Sequence, residues 1–107
     1  VALVSELMTA SRIEGAVAAA GGTLRRIDDP GQLPDATEVD LLLVDWAARR
    51  DDWGERLIGW RGDAATVIVL FGPHTDLDAH RAAKVAGLGP MRARSALFAA
   101  LPGLLSR

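Results

Sequence analysis

Val39-Asp40-Leu41-Leu42-Leu43-Val44-Asp45-Trp46 is the stretch that decides the fold. Leu41 to Val44 are apolar without alternation. A strand with one wet face alternates apolar and polar residues. An unbroken apolar run calls for burial on both faces, as in the middle of a parallel sheet. A second such run, Thr66-Val67-Ile68-Val69-Leu70-Phe71, follows after a helix-length segment. Weaker strands are expected at residues 1–4, 23–27 and 89–93, the last at an edge. Parallel neighbours need crossovers, and the intervening segments carry helical spacing. Ile13, Ala16, Val17 and Ala20 place a helix at residues 9–20, ended by Gly21-Gly22. Trp53, Leu57 and Trp60 share one face of a helix at residues 51–61 and are expected to pack it on the sheet. Thr75 is expected to cap the next helix, with Asp76 and Asp78 in its first turn, where the helix dipole favours acid. Its small-residue face is Ala79, Ala82, Ala83 and Ala86, and Gly87 ends it. Ser95 is expected to cap a last helix with Leu97, Phe98, Leu101, Leu104 and Leu105 in one stripe. Pro102 lacks a donor and clashes one turn back, which predicts a kink or two short pieces. Pro30, Gly31 and Pro34 leave residues 28–38 room for no more than a short turn at residues 31–33.

Strand–helix alternation of this kind predicts an α/β fold: a doubly wound, five-stranded parallel sheet with helices on both faces, a three-layer α/β/α sandwich. The expected strand order is the flavodoxin-like 2-1-3-4-5. The 107 residues suit a single domain spanning residues 1–107, since domains commonly hold ~100 to 150. Half of the residues are apolar, enough for a packed core. A net charge of −2 speaks against a nucleic-acid partner, because such domains are usually strongly basic. With no cysteine, disulfides and thiolate metal sites are excluded. No apolar run approaches the ~20 residues of a membrane helix. The first residues show no basic segment followed by an apolar one, so the cytoplasm is the expected location.

In open parallel sheets ligands bind beyond the carboxyl ends of the strands. That edge collects Ser5 and Glu6, Asp45 and Trp46, residues 71–74 and residues 92–95. Glu6 and Asp45 fall on strands expected to be neighbours, and Arg94 follows the fifth strand. Two carboxylates and a cation suit Mg²⁺ and phosphoryl chemistry. Mg²⁺ takes hard oxygen ligands, commonly one or two carboxylates plus water. Asp45 has the chemistry of a nucleophile towards phosphorus, and Arg94 that of a stabilising cation. The competing reading is plainer: Glu6 and Asp45 as caps or turn residues, and Arg94 paired with a surface acid. Other polar features read as structural. His74 and His80, six apart, do not have the spacing of a helical metal pair. Arg25-Arg26 and Arg49-Arg50 read as solvated charges. Trp46 either covers the acidic pocket or stands exposed as a partner contact.

Over nearly its whole length the chain resembles response-regulator receiver domains of two-component signalling. Residues 1–6 sit where receivers carry an apolar strand and then an acidic pair. Asp40 to Asp45 resemble the strand ending in the phosphorylated aspartate. Residues 67–72 are similar to the strand ending in a switch Thr or Ser, and Ala86-Gly87 to the pair closing the fourth helix. Leu7 to Ile13, Phe71 to Asp76 and Arg94 to Phe98 narrow the likeness to stand-alone receivers of the twitching-motility type. The resemblance implies Asp45 as phospho-acceptor, Glu6 and Asp45 as Mg²⁺ ligands, and Arg94, Phe71 and Ser5 as the remaining phosphate pocket. The departures are equally specific. Ser5 replaces an acid. Phe71 replaces the hydroxyl and cannot bond a phosphoryl oxygen. Arg94 replaces a Lys with a planar fork. Met91 or Arg92 stands near the position of the usual aromatic on the fifth strand.

The expected function is therefore a non-enzymatic, degenerate receiver-like signalling domain. It would act through a histidine kinase or a downstream signalling protein, bound at the face of the receiver's fourth helix, fifth strand and fifth helix, or through a homodimer there. The alternative is a genuine receiver phosphorylated on Asp45 with Mg²⁺. A third reading is a small-ligand domain on the same fold, weakened because residues 5–11 contain no glycine to cradle a phosphate.

Overall fold

The computed structural model describes residues 1–105. Its five strands are β1 (Ala2–Leu3), β2 (Arg26–Ile27), β3 (Leu41–Asp45), β4 (Val67–Gly72) and β5 (Arg92–Ala93). All pair in parallel, in the order β2-β1-β3-β4-β5. This is the expected α/β sheet and strand order, compatible with a flavodoxin-like fold. The two unbroken apolar runs are the two long central strands. Four helices accompany them: α1 (Leu7–Ala19), α2 (Trp53–Arg61), α3 (Leu77–Val85) and α4 (Arg94–Leu105). No described helix is long and apolar enough to cross a membrane.

Successive residues of a strand face opposite sides of a sheet, and the core divides accordingly. Leu3, Leu42, Val44, Ile68 and Leu70 join Trp46, Trp53, Leu57, Ala79 and Ala83 in one cluster. Ala2, Val4, Leu43, Val69 and Phe71 join Ala10, Ile13, Val17, Leu97 and Leu101 in another. Thus β3 and β4 bury alternate side chains against α2 and α3 or against α1 and α4. Trp53 lies within the first cluster and Trp60 packs against it, as their spacing predicts.

The helix ends correct several boundaries. Glu6 caps α1, so the helix begins two residues before the expected Thr9. Asp76, not Thr75, caps α3: its Oδ1 accepts the Ala79 N–H at 3.0 Å. The last helix starts at Arg94, ahead of Ser95, and runs through Pro102 as one element. Pro102 stands near its C-terminal end, and Leu97 and Leu101, both fully buried, anchor it. Both glycine stops hold. Gly21 (φ +78°) and Gly87 (φ +73°) are left-handed. Gly22 N–H reaches the Val17 carbonyl at 3.0 Å and Leu88 N–H the Ala83 carbonyl at 3.2 Å, the closing bonds of Schellman ends.

Residues between β2 and β3 form no α-helix, so the alternation is incomplete at that crossover. Two 3-10 turns replace it, Pro30–Gln32 and Ala36–Glu38. The first lies one residue from its expected place; the second has no counterpart among the expected elements. Pro30 and Pro34 cannot sit in a helix interior, and Asp29 with Gln32 close a capping box on the first turn. The Trp60 indole N–H donates to the Pro34 carbonyl at 2.7 Å, which ties this crossover to α2.

Trp46 is the principal anchor on its side of the sheet. It is 2% exposed, and its indole N–H donates to the Ala79 carbonyl in α3 at 2.9 Å. It is therefore neither a pocket cover nor a partner contact. The alanine face of α3 turns inward onto it, with Ala79 and Ala83 fully buried. Helices α2 and α3 meet closely: a Cβ on Gly54 would lie 2.9 Å from the Ala86 Cβ, whereas one on Gly59 meets nothing. Two substitutions in one helix should therefore have opposite signs. Gly59→Ala should stabilise by about 1 kcal/mol through helix propensity. Gly54→Ala should destabilise by about 1–2 kcal/mol, because overpacking outweighs that gain. Thermal unfolding followed by circular dichroism checks both, as about 1 kcal/mol moves the midpoint ~4–8 °C in a domain of this size.

Candidate functional site

Register assembles the site. Leu3 pairs with Val44, Asp45 with Phe71, and Phe71 with Arg92. Extending β1 by one residue sets Val4 beside Asp45, so Val4, Asp45, Phe71 and Arg92 share one level across the sheet. Glu6 and Arg94 each lie two residues beyond that level, Glu6 one strand from Asp45 and Arg94 two strands from it. Neighbouring strands are ~4.8 Å apart. The three charged residues therefore meet at one rim, as their strand-end positions predict. The charge of Arg94 acts on both Asp45 and Glu6.

Asp45 is 6% exposed, and its Oδ1 is buried without a hydrogen-bond partner. Burial pushes its carboxyl above the ordinary carboxylate value. The Arg94 charge and the backbone N–H groups of Ala47 and Ala48 pull it down, and Glu6 adds to the rise. Burial dominates because desolvation penalises the charged form.

Glu6 is differently placed. Its Oε1 accepts the Met8 N–H and its Oε2 the Thr9 N–H, each at 2.8 Å. Both oxygens serve the start of α1, so the cap reading holds for this residue. Bonds from the Thr9 hydroxyl and from the Thr9 and Met8 backbone hold its carboxyl below the usual range. The sequence carried this signal: a carboxylate three residues before Thr9, at the head of a helical pattern.

Ser5 is exposed at the end of β1. Phe71 is fully buried among Val69, Leu97 and Leu101, an apolar wall beside Asp45. Met91 is buried, and Gly72 admits it closely: a Cβ there would lie 2.9 Å from its Sδ. Arg92 is exposed. Arg26 is not merely a solvated charge. Its Nε donates to the Val4 carbonyl at 2.9 Å and its Nη2 to the Ser5 carbonyl at 3.2 Å, with Asp28 Oδ1 at 3.3 Å. It clamps the backbone leading to Glu6. Spacing held no sign of this, because the bonds span twenty-odd residues. Arg49 likewise folds back: its Nη1 donates to the Trp46 carbonyl at 3.1 Å. His80 Nε2 lies 3.0 Å from the His74 carbonyl, and both histidines serve the surface of the α3 start.

A magnesium ion completes its shell with water around one or two carboxylates, and the rim offers few such oxygens. No group of three His, Cys, Asp or Glu gathers among the described residues. Glu6 is committed to its cap, Ser5 brings no carboxylate, and a single Asp45 oxygen remains. Comparison with models of known protein families, with curated proteins and with solved structures finds no match. The functional reading therefore rests on this rim.

The two carboxyls should give opposite pH responses. The folded-state value of Glu6 is lowered, so its stabilisation is present above the unfolded carboxylate value and is lost as pH falls through the folded one. Glu6→Ala should lower the unfolding midpoint at pH 7 and have little effect in strong acid. The folded-state value of Asp45 is raised, so its contribution is most favourable below the unfolded value and is lost as pH rises through the folded one. Asp45→Asn should raise the midpoint at pH 7, and the gain should vanish in acid. Thermal unfolding across a pH series reads both.

Proposed function

We propose that this chain is a degenerate receiver-like signalling domain that acts by binding a protein partner and not by accepting a phosphoryl group. The observation that carries the reading is Phe71, fully buried and in register with Asp45. A receiver switch needs a hydroxyl at that position to follow the phosphoryl oxygens, and a ring packed against Leu97 and Leu101 has no polar atom to offer. Each lost bond to a charged group is worth ~1.5–3 kcal/mol, enough to remove the bias from a balanced two-state element. In this reading the two apolar clusters are the helical contacts of a three-layer α/β/α sandwich in a cytoplasmic protein.

The partner, a histidine kinase or a downstream signalling protein, meets the face of α3, β5 and α4. With one crossover helix missing, these elements take the place of the receiver's fourth helix, fifth strand and fifth helix. What suits α3 to contact is its outer side. Leu77 and Val85, two turns apart, are 71% and 83% exposed, with Arg81 between them. Ala79 and Ala83, fully buried against the sheet, are not available.

Two measurements test the reading. Incubation with acetyl phosphate and Mg²⁺ should leave the intact mass unchanged; a gain of one phosphoryl group on Asp45 would restore the phospho-acceptor reading. In cells carrying only a variant copy, Asp45→Asn should keep the wild-type phenotype, and Leu77→Glu with Val85→Glu should reproduce the deletion. The reverse pattern would overturn the proposal.

A further inference from the structure

Ile58, Leu77 and Val85 are three of the five large apolar side chains that stand exposed among the described residues; the other two, Leu7 and Met8, begin α1. Ile58 and Val85 line a groove of about 470 Å³ between α2 and α3, together with Trp46 and Ala82. Its charged lining is balanced, Arg49 and Arg50 against Asp51 and Glu55. Leu77 lies outside the groove, eight residues before Val85, or ~12 Å along the helix at 1.5 Å per residue. Helix α3 thus carries an apolar knob at its start and one wall of an apolar groove at its end.

The charges of α3 are sorted along its length. Asp76 and Asp78 stand at the start, Arg81 and Lys84 in the second half. Asp76 is engaged as the cap, and His80 is turned to the His74 carbonyl. Asp78 and Arg81 approach to 3.7 Å with both side chains largely in water, where such a pair is weak. Lys84 has no partner among the described ion pairs. A second copy of α3 laid alongside in the same direction would set acid on acid and base on base. Laid antiparallel, it sets the acidic start against the basic end. Leu77, Arg81 and Val85 form one ridge at a spacing of four, and two such ridges pack when the helices cross at about −50°. With the two-fold axis beside Arg81, each residue meets the one equally far beyond the axis in the other copy. Leu77 then meets the partner's Val85, and Asp78 the partner's Lys84. Arg81 meets its own counterpart, and each keeps its Asp78 beside it.

We infer that this chain self-associates as a two-fold dimer through α3, with Leu77 of each copy entering the α2–α3 groove of the other beside Val85. The contact is isologous, so knob, groove and ion pair are each used twice and the assembly closes at two copies. Stable interfaces bury ~1,200–2,000 Å². A nine-residue helix and one groove on each side stand at or below the low end of that range, so the dimer is reversible and forms as concentration rises. The inference goes beyond the signalling reading and does not require it.

Sedimentation velocity of the purified chain over a wide concentration series tests it, with Asp78→Lys, Lys84→Asp and an equimolar mixture of the two. Both side chains are exposed, so the fold should survive, and circular dichroism verifies this. The wild type should pass from monomer to dimer as concentration rises. Each single variant turns both ion pairs into like-charge contacts and should weaken the dimer about tenfold. In the mixture, one Asp78→Lys chain and one Lys84→Asp chain restore opposite charges at both contacts, so a mixed dimer should form at wild-type strength. A wild type that stays monomeric throughout overturns the inference. So does a dimer indifferent to both reversals, or a mixture no stronger than its components. A monomeric chain whose Leu77 and Val85 variants still reproduce the deletion would lose this inference and keep the partner-binding reading, so the two fail separately.

Discussion

Parallel register between strands buried on both faces is the constraint on which the rest depends. Because β3 and β4 carry apolar side chains on both sides, a slip by one residue would bring Asp45 into the place of Val44 and turn the whole set over. Burial therefore holds Asp45 level with Phe71, and Phe71 level with Arg92. The same pairing brings Val4 alongside and sets Glu6 and Arg94 just past the edge. The rim is thus a by-product of core packing: residues 39 positions apart in sequence, Glu6 and Asp45, share one electrostatic environment because hydrophobic runs lock the strands between them.

What occupies that rim is chemically lopsided. One carboxylate is buried and short of partners, the other is engaged by a helix start, and a fully buried aromatic ring stands level with the first. The core on the other side of the sheet is built with more redundancy. Trp46 follows Asp45 directly and reaches across to α3, where its indole bond and the close approach at Gly54 and Ala86 knit two helices together. On its outer side α3 carries two exposed apolar side chains, Leu77 and Val85.

The crossover between β2 and β3 shows how local chemistry overrides a global pattern. Alternation favours a helix there. Two prolines and a self-contained capping box make two short turns instead, and the Trp60 and Thr66 side chains fasten them at 2.7 Å to the Pro34 and Ala36 carbonyls. Proline 102 makes the opposite point. The residue that should break α4 sits near the end of a helix held by two fully buried leucines, so tertiary burial outweighs the lost bond.

The sequence by itself determined the α/β class, the parallel sheet and both glycine helix stops, because unbroken apolar runs, helical spacing and left-handed glycines act over a few residues. It also marked Glu6, Asp45 and Arg94 as strand-end residues. Tertiary structure alone decided what they became: Glu6 a cap, Asp45 a buried carboxyl with an orphaned oxygen, Arg26 a clamp on the first strand, Trp46 a core anchor. Those roles follow from which backbone groups and charges lie within a few ångströms across the fold, and a side chain's partners at long separation leave no periodic trace in the chain.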